Sequence, residues 1–283
     1  MKLITFQRSE GAAAPGLLVS ESIYDLSSAG FGSALEFIEG GEQALAAAAA
    51  LLKSGAATIP LNAVRLLAPI AKPPRIFGIG LNYAEHAAES RMDVQAVPTV
   101  FLKLASSVTG PETDIILPKN ATQPDYEAEL AVVIGRPGYR IAANDWKDHV
   151  FGYTIVNDVS ARDVQLATSQ WTLGKSFPTF TPMGPWIVTQ EEIADPHRLD
   201  IRLTIDREVL QSSNTRHLIF RIPQLIEFIS SITPLEAGDI ISTGTPQGVG
   251  LGRSPQRWLA PGEEVVISIE QVGELRNRTR AEA

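Results

Sequence analysis

The sequence predicts an α+β fold whose larger part is built around a mixed β-sheet or β-roll. Short runs of β-type residues outnumber helical segments, turn residues separate most of these runs, and the helical segments do not alternate regularly with the strands. A chain of 283 residues with 44% hydrophobic residues is also long enough to bury a large core. We therefore expect a globular protein with one large domain, or with a large and a small one.

Residues 1–70 are predicted to form the small N-terminal α/β domain. Residues 3–7 and 16–19 have the pattern of strands, and the alanine-rich residues 42–53 have the pattern of a helix. Pro73 and Pro74 lack backbone donors and force extended geometry, so they mark a boundary. We assign residues 71–283 to the larger domain.

The larger domain is predicted to contain mostly strands. Helical patterns occur at residues 83–90, 159–170 and 222–232, the last with Pro223 in its first turn. The predicted strands are residues 75–80, 100–104, 114–117, 126–134, 150–156, 185–188, 199–205, 239–242 and 264–269.

Two carboxylates alternate at the start of the strand predicted over residues 126–134. Side chains alternate between the two faces of a strand, so Glu127 and Glu129 are expected on one face. Asp158 ends the strand predicted next along the chain, which could pair with the first one. Three carboxylates together suit a hard divalent ion such as Mg²⁺, Mn²⁺ or Ca²⁺. The alternatives are a solvated strand face for the two Glu residues and a helix N-cap for Asp158.

Further polar residues are candidates for catalysis or binding. His86 and Glu89 are three residues apart on a predicted helix, so the carboxylate could orient the imidazole as a general base, or the two could form a surface pair. Lys175 lies in a glycine-flanked loop, where it could meet an anionic substrate or only solvent. The backbone amides of residues 243–250 could cradle a carboxylate, or the segment could be a tight turn.

Composition excludes several classes of function. The net charge of -8 without a basic block argues against nucleic-acid binding, and the absence of cysteine excludes disulfides and thiolate ligands. The longest apolar tract, residues 44–52, is too short to cross a bilayer. The N-terminal residues lack the apolar stretch of a signal peptide, so we expect a cytoplasmic location.

Several segments together resemble the fumarylacetoacetate hydrolase family, in its Gly-Leu-Asn-Tyr branch of diketo-acid hydrolases and 2-hydroxyhepta-2,4-diene-1,7-dioate isomerase-like proteins. They occur in the family's order and span roughly residues 75–270. The matching segments are Gly80-Leu81-Asn82-Tyr83 with His86 and Glu89, Tyr126-Glu127-Ala128-Glu129-Leu130, residues 157–165, Gly174-Lys175-Ser176-Phe177, and residues 242–250.

This resemblance implies a β-sandwich roll that holds one Mg²⁺ or Mn²⁺, and a homodimer. It implies metal ligation by Glu127, Glu129 and Asp158. It also implies catalytic roles for His86, Glu89 and Lys175, and substrate contacts from Tyr83, Arg162, Gln165, Thr243, Gly244 and Thr245.

The leading hypothesis from the resemblance is a metal-dependent hydrolase that cleaves a C–C bond in a 2,4-diketo acid and releases pyruvate or a similar 2-oxo acid. One alternative is an isomerase or decarboxylase of a related 2-oxo diacid, of the 5-carboxymethyl-2-hydroxymuconate isomerase or oxaloacetate decarboxylase type. The other is a non-catalytic, metal-dependent carboxylate-binding protein. Residues 90–97, which could close as a lid, and residues 211–217 are expected to select the distal part of the substrate.

Overall fold

The computed structural model describes residues 1–9, 11–89 and 95–283. Its α-helices are α1 (Ala34–Glu39), α2 (Gly41–Lys53), α3 (Ala84–Glu89), α4 (Arg162–Gln165) and α5 (Ile222–Ile232). Short 3-10 helices are Leu26–Ala29, Leu61–Ala63, Ala105–Ser107, Ala143–His149, Gln190–Glu192, Thr215–His217 and Gly250–Gly252. The strands are β1 (Lys2–Gln7), β2 (Ala14–Val19), β3 (Ser22–Asp25), β4 (Ile59–Pro60), β5 (Arg65–Leu67), β6 (Ile76–Gly80), β7 (Thr99–Lys103), β8 (Val108–Thr109), β9 (Ile115–Leu117), β10 (Pro124–Asp125), β11 (Ala128–Ile134), β12 (Val150–Asn157), β13 (Ser160–Ala161), β14 (Thr181–Thr189), β15 (Asp200–Ile205), β16 (Glu208–Asn214), β17 (Ile240–Ser242), β18 (Glu264–Ile269) and β19 (Gly273–Ala281).

Two sheets dominate the described part of the chain, and they confirm the α+β prediction. The larger has twelve strands, with the order β4-β3-β2-β1-β14-β12-β11-β17-β6-β7 along its main path, while β5 pairs with β1 and β8 with β14. The smaller has the order β16-β15-β18-β19-β9. The β17–β6 pair is parallel and the other pairs along the main path are antiparallel, so the large sheet is mixed.

Strand β11 lies at the centre of the molecule and is buried on both faces. Leu130 and Val132 belong to the core that also contains residues of the smaller sheet and of α5. Ala131 and Val133 belong to a second core with residues of α1 and α2. Because both faces of the strand are covered, its seven residues carry no solvated position.

The N-terminal strands continue the sheet of the larger predicted domain. Strand β1 pairs antiparallel with β14 at Lys2↔Val188 and Leu3↔Ile187. The division at residue 70 therefore stays a prediction, since the large sheet crosses it. Among the described residues, no helix is both long and apolar enough to span a membrane.

Most predicted elements lie where expected, but the helix predicted over residues 159–170 is wrong. In that segment, Ser160 and Ala161 form β13 and pair with β10, and only Arg162–Gln165 is helical. The pattern failed because this backbone pairs with a strand distant in sequence. Helix α5 has the predicted bounds, and α2 matches the alanine-rich helix. Among the strands of four or more residues, β3, β16 and β19 were not predicted.

Candidate metal centre and active site

The three predicted metal ligands converge in the interior. The ligand atoms of Glu127, Glu129 and Asp158 all lie within 4.8 Å of one another. Antiparallel pairing of β11 with β12, which sets Ala128 opposite Asn157, brings them together. The backbone N–H of Asp158 also donates to the carbonyl of Glu127 at 2.9 Å. The predicted neighbouring strands therefore do pair, and their ends hold the carboxylates.

The structure excludes both alternative interpretations of these acids, the solvated strand face and the helix N-cap. Glu127 and Glu129 are only 4% and 2% exposed, so they do not form a solvated face. Asp158 is not a helix cap, because the N-cap of α4 is Ala161. Carboxylates buried this deeply need positive partners or protons.

Two of the three carboxylates have buried cations as partners. The Lys175 ammonium donates to Glu127 at 2.6 Å and to Asp158 at 2.8 Å, so it is not a solvated loop lysine. Arg162 donates to the other oxygen of Glu127 at 2.6 Å. Burial alone would favour the neutral acid, but the charges of Lys175 and Arg162 hold the pKa of Glu127 well below its usual range.

Lys103 is a buried member of the site that the sequence reasoning missed. Its ammonium donates to Asp158 at 2.6 Å, to the carbonyls of Val159 and Phe180 at 3.3 and 3.0 Å, and to the carbonyl of Lys175. A signal was present, because alternation along β7 places Lys103 on the same face as Phe101, in an apolar run.

Glu129 differs from the other two carboxylates because neutral groups hold it. Its Oε2 accepts from the Ser242 hydroxyl at 2.6 Å and from the Gly244 amide at 2.9 Å. Burial, together with the charges of Asp158 and Glu127, raises the pKa of Glu129 well above its ordinary value. Glu129 is therefore the carboxylate that most needs an added positive charge.

The charges and ligand types of the cluster fit a hard divalent cation. The cluster contains three buried cations, Lys103, Arg162 and Lys175, and four buried carboxylates, Asp125, Glu127, Glu129 and Asp158. When Glu129 is ionised, the cluster therefore has a net charge of -1. A divalent ion would make the cluster net positive, which suits an anionic substrate. All-oxygen ligands favour Mg²⁺, Mn²⁺ or Ca²⁺.

The raised pKa of Glu129 predicts how the stability of the metal-free protein changes with pH. In the unfolded chain Glu129 ionises near the ordinary Glu pKa of 4.5, whereas the folded protein keeps the proton to higher pH. From pH 4.5 up to the folded-state pKa the folded state binds more protons, so the free energy of unfolding falls as pH rises, by at most about 1.4 kcal/mol per pH unit. Urea unfolding in EDTA across this range should show a smaller decline in Glu129→Gln; an equal decline would contradict the assignment.

His86 and Glu89 lie on α3 as predicted, and His86 lines the same pocket as the three carboxylates. His86 is 6% exposed, so the two residues are not a surface pair. His86 Nδ1 lies 3.6 Å from a Glu89 oxygen and has no hydrogen-bond partner among the residues that the structure describes. The Glu89 carboxylate accepts from the Gly248 amide at 3.0 and 3.1 Å, which fixes its position. The carboxylate thus stands beside the ring nitrogen it was predicted to orient.

Four backbone amides between residues 243 and 252 donate to carboxylates of the protein itself. The predicted substrate contact of this segment stays a prediction, because these amides already have protein partners. Gly244 N donates to Glu129, Gly248 N to Glu89, and both Gly250 N and Leu251 N to Asp125. Thr245 lines the pocket, whereas the hydroxyl of Thr243 donates to the carbonyl of Leu130.

The other predicted substrate contacts divide into two groups. Arg162 and Gln165 line the pocket. Tyr83 is fully buried outside the pocket lining, and within the described part of the chain its hydroxyl has no hydrogen-bond partner. Burial, and next the charge of Glu129, raises the pKa of Tyr83.

The segments predicted to select the distal part of the substrate are only partly described. Residues 90–94 of the predicted lid lie outside the described residues. Arg216 and His217 line a separate groove with Glu85, so they do not reach the carboxylates. Gln211 instead supports the site, because its amide donates to the Thr245 hydroxyl at 2.8 Å.

Apolar side chains also line this pocket; they are Ile79, Leu81, Phe101, Leu166, Trp171 and Leu251. The rings of Phe101 and Trp171 meet edge to face, with centroids 5.6 Å apart. A Cβ added to Gly78 would meet the Phe101 ring at 2.3 Å, and one added to Gly80 would meet Trp171 at 2.4 Å. These glycines therefore give the aromatic rings room beside β6.

Comparison with known proteins shows the family of this chain. Residues 75–280 match the family described as fumarylacetoacetate (FAA) hydrolase C-terminal. Oxaloacetate tautomerase FAHD2A, mitochondrial, from Bos taurus is 44% identical over 246 residues, covering 86% of this chain and 78% of that protein.

Two solved structures resemble the whole chain. Maleylpyruvate hydrolase from Sphingobium sp. SYK-6, in complex with manganese (II) ion and pyruvate, is 32% identical with a TM-score of 0.85, covering 100% of both chains. The 5-carboxymethyl-2-hydroxymuconate delta-isomerase from Mycobacterium smegmatis is 33% identical with a TM-score of 0.80, again covering 100% of both chains. The predicted resemblance is confirmed, and the chain belongs to the fumarylacetoacetate hydrolase family.

Proposed function

We propose that this chain is a divalent-metal-dependent hydrolase that cleaves a C–C bond in a 2,4-diketo acid and releases pyruvate or a similar 2-oxo acid. The observation that carries the proposal is that Glu127, Glu129 and Asp158 line one pocket together with His86 and Lys175. The similar maleylpyruvate hydrolase, a complex with manganese and pyruvate, supports both the ion and the product class. Mg²⁺ and Mn²⁺ are the proposed ions, with Ca²⁺ as an alternative.

An ion held by Glu127, Glu129 and Asp158 would supply Lewis-acid stabilisation of negative charge on the substrate oxygens. Lys175 uses two of its three N–H donors on carboxylates, which leaves the third for a substrate anion. Arg162 adds positive charge at the pocket wall. We therefore place the 2-oxo acid end of the substrate at the charged residues of the pocket and its distal end at the apolar residues.

His86 is the proposed general base. With Glu89 beside one ring nitrogen, it would take a proton from a water that attacks the C4 carbonyl carbon. The C3–C4 bond then breaks with its electron pair on C3, which takes up a proton to give the 2-oxo acid. A positioned base of this kind contributes about 10²–10⁴-fold to the rate.

A second candidate function uses the same site without the attacking water, namely tautomerisation, isomerisation or decarboxylation of a 2-oxo diacid. The 44% identity to an oxaloacetate tautomerase supports it. Proton transfer at C3 would then be the main task of the chain's own side chains.

The His86→Ala variant is expected to separate the two functions. Hydrolysis of a diketo acid should fall by about 10²–10⁴-fold, because no base remains to activate water. Decarboxylation of oxaloacetate should persist, measured against a blank with the same Mg²⁺ and no protein. Unchanged hydrolysis would remove His86 from the water step.

A substrate panel tests the proposal directly. Acylpyruvates, diketo-deoxy sugar acids and oxaloacetate would be incubated with protein in Mg²⁺ or Mn²⁺ and, separately, in EDTA, with products identified by mass. The proposal expects release of a 2-oxo acid only with metal; full activity in EDTA would refute it. Oxalate binding that requires Mg²⁺, without turnover of any panel member, would favour a non-catalytic binding protein.

Three further expectations belong to this proposal. We infer a cytoplasmic location, a homodimer and a catalytic part covering residues 71–283. Sedimentation of the purified protein and expression of residues 71–283 alone would test the last two.

A further inference from the structure

Asp125 is a fully buried acid that lies outside the pocket lining. Its Oδ1 accepts from the amides of Tyr126 at 2.8 Å and Gly250 at 2.7 Å. Its Oδ2 accepts from the amide of Leu251 at 3.0 Å and from Arg162 Nε at 2.8 Å. Four donors thus fix both carboxylate oxygens.

Arg162 connects Asp125 to the pocket. Besides the bond from Nε to Asp125, Nη2 donates to Glu127 at 2.6 Å and Nη1 donates to Gln165 at 2.9 Å. The guanidinium is a rigid planar fork, so fixing one nitrogen also restricts the other two. The position of Asp125 therefore restricts two groups: the Glu127 carboxylate, which is a proposed metal ligand, and the side-chain amide of Gln165 in the pocket.

The loop that contains Gly250 comes close to the Asp125 carboxylate. A Cβ on Gly250 would meet the Arg257 carbonyl at 1.8 Å and Asp125 Oδ1 at 2.7 Å. Glycine at this position lets the loop place two amides on the carboxylate.

Asp125 also balances the charge of Arg162. Without it, Glu127 would be the only carboxylate paired with this guanidinium among the described residues. The full positive charge of Arg162 would then compete with a cation for the same carboxylate.

We propose that Asp125 is a positioning residue for metal binding, acting through Arg162 to orient Glu127 and to leave its negative charge available to the ion. The inference rests on the metal site of the proposed function. It extends the functional set to an acid that does not itself line the pocket and is not one of the three proposed metal ligands.

The test is Mn²⁺ binding to the purified full-length chain, measured by the loss of the free Mn²⁺ signal in electron paramagnetic resonance. Asp125→Asn keeps the shape but removes the charge, and the Kd for Mn²⁺ is expected to rise about 10–100-fold, as for other groups that orient metal ligands. Asp125→Glu keeps the charge but displaces the carboxylate, and we expect a smaller rise.

Asp239→Asn is the matched control. Asp239 is also buried and accepts from Arg75 at 3.0 and 2.5 Å, but it does not line the pocket. Breaking this pair should lower the melting temperature and leave the Kd for Mn²⁺ at the wild-type value. A purely structural role for Asp125 would give the same result as this control.

The outcomes separate the inference from the proposed function. A wild-type protein that does not bind Mn²⁺ overturns the metal site itself. Wild-type affinity in folded Asp125→Asn, or in Asp125→Glu where only that variant folds, overturns the positioning role alone. Weaker binding in these variants with unchanged binding in Asp239→Asn supports it.

Discussion

Replacing Glu129 with glutamine is expected to abolish metal retention and turnover while the protein stays folded. Among the described residues, the Glu129 carboxylate accepts hydrogen bonds from Ser242 and Gly244 and forms no ion pair, so the variant leaves no buried cation of that part of the chain without its partner. Loss of the ion removes several kcal/mol of transition-state stabilisation, which corresponds to about 10³-fold or more in kcat. Elemental analysis after dialysis and turnover of the best panel substrate would measure both effects.

The control for this variant is Glu85→Gln. Glu85 is exposed on α3 and outside the pocket, so it undergoes the same chemical change without affecting the carboxylates. We expect wild-type metal content and turnover from it. A Glu129→Gln protein that keeps one divalent ion per chain and full turnover would show that Glu129 is not a ligand.

Replacing Lys103 with methionine is expected to cost about 3–5 kcal/mol of the free energy of unfolding, the typical effect of breaking a buried ion pair by removing one partner. Asp158 would lose one of its two cations, and the carbonyls of Val159 and Phe180 would lose a donor. Denaturant unfolding in EDTA measures this cost without a contribution from metal binding.

Lys119→Met provides the comparison, because Lys119 is an exposed lysine whose ammonium donates to the Ala283 carbonyl. Its removal should change the free energy of unfolding by less than about 0.5 kcal/mol. A similarly small effect in Lys103→Met would mean that solvent or another group satisfies Asp158, and that Lys103 is not required for the site.

The cluster of Glu127, Glu129 and Asp158 is the part of this protein that sequence patterns predicted best, and its role as a metal site stays a proposal. Alternation along a strand is a local rule, so it placed Glu127 and Glu129 on one face, and Asp158 followed from the end of the next strand. The helix at Ile222–Ile232 could be predicted equally well from the sequence, because its apolar residues repeat with helical period and Pro223 marks its first turn.

The helix predicted over residues 159–170 shows where a local sequence pattern gives the wrong structure. The pairing of Ser160 with Asp125 depends on residues separated along the chain, and it overrides the local helical pattern. The same pairing places Asp125 beside Arg162, which no sequence spacing indicated.

The sequence by itself determined most of the longer strands, the ligand types and the family resemblance, because periodicity, side-chain chemistry and ordered motifs are all readable along a chain. Only the tertiary structure decided which charges meet: Lys103 with Asp158, Asp125 with Arg162, and the amides of residues 243–252 with three acids of the protein. The physical reason is that ion pairs and hydrogen bonds act through space, and folding brings together groups that no local pattern relates.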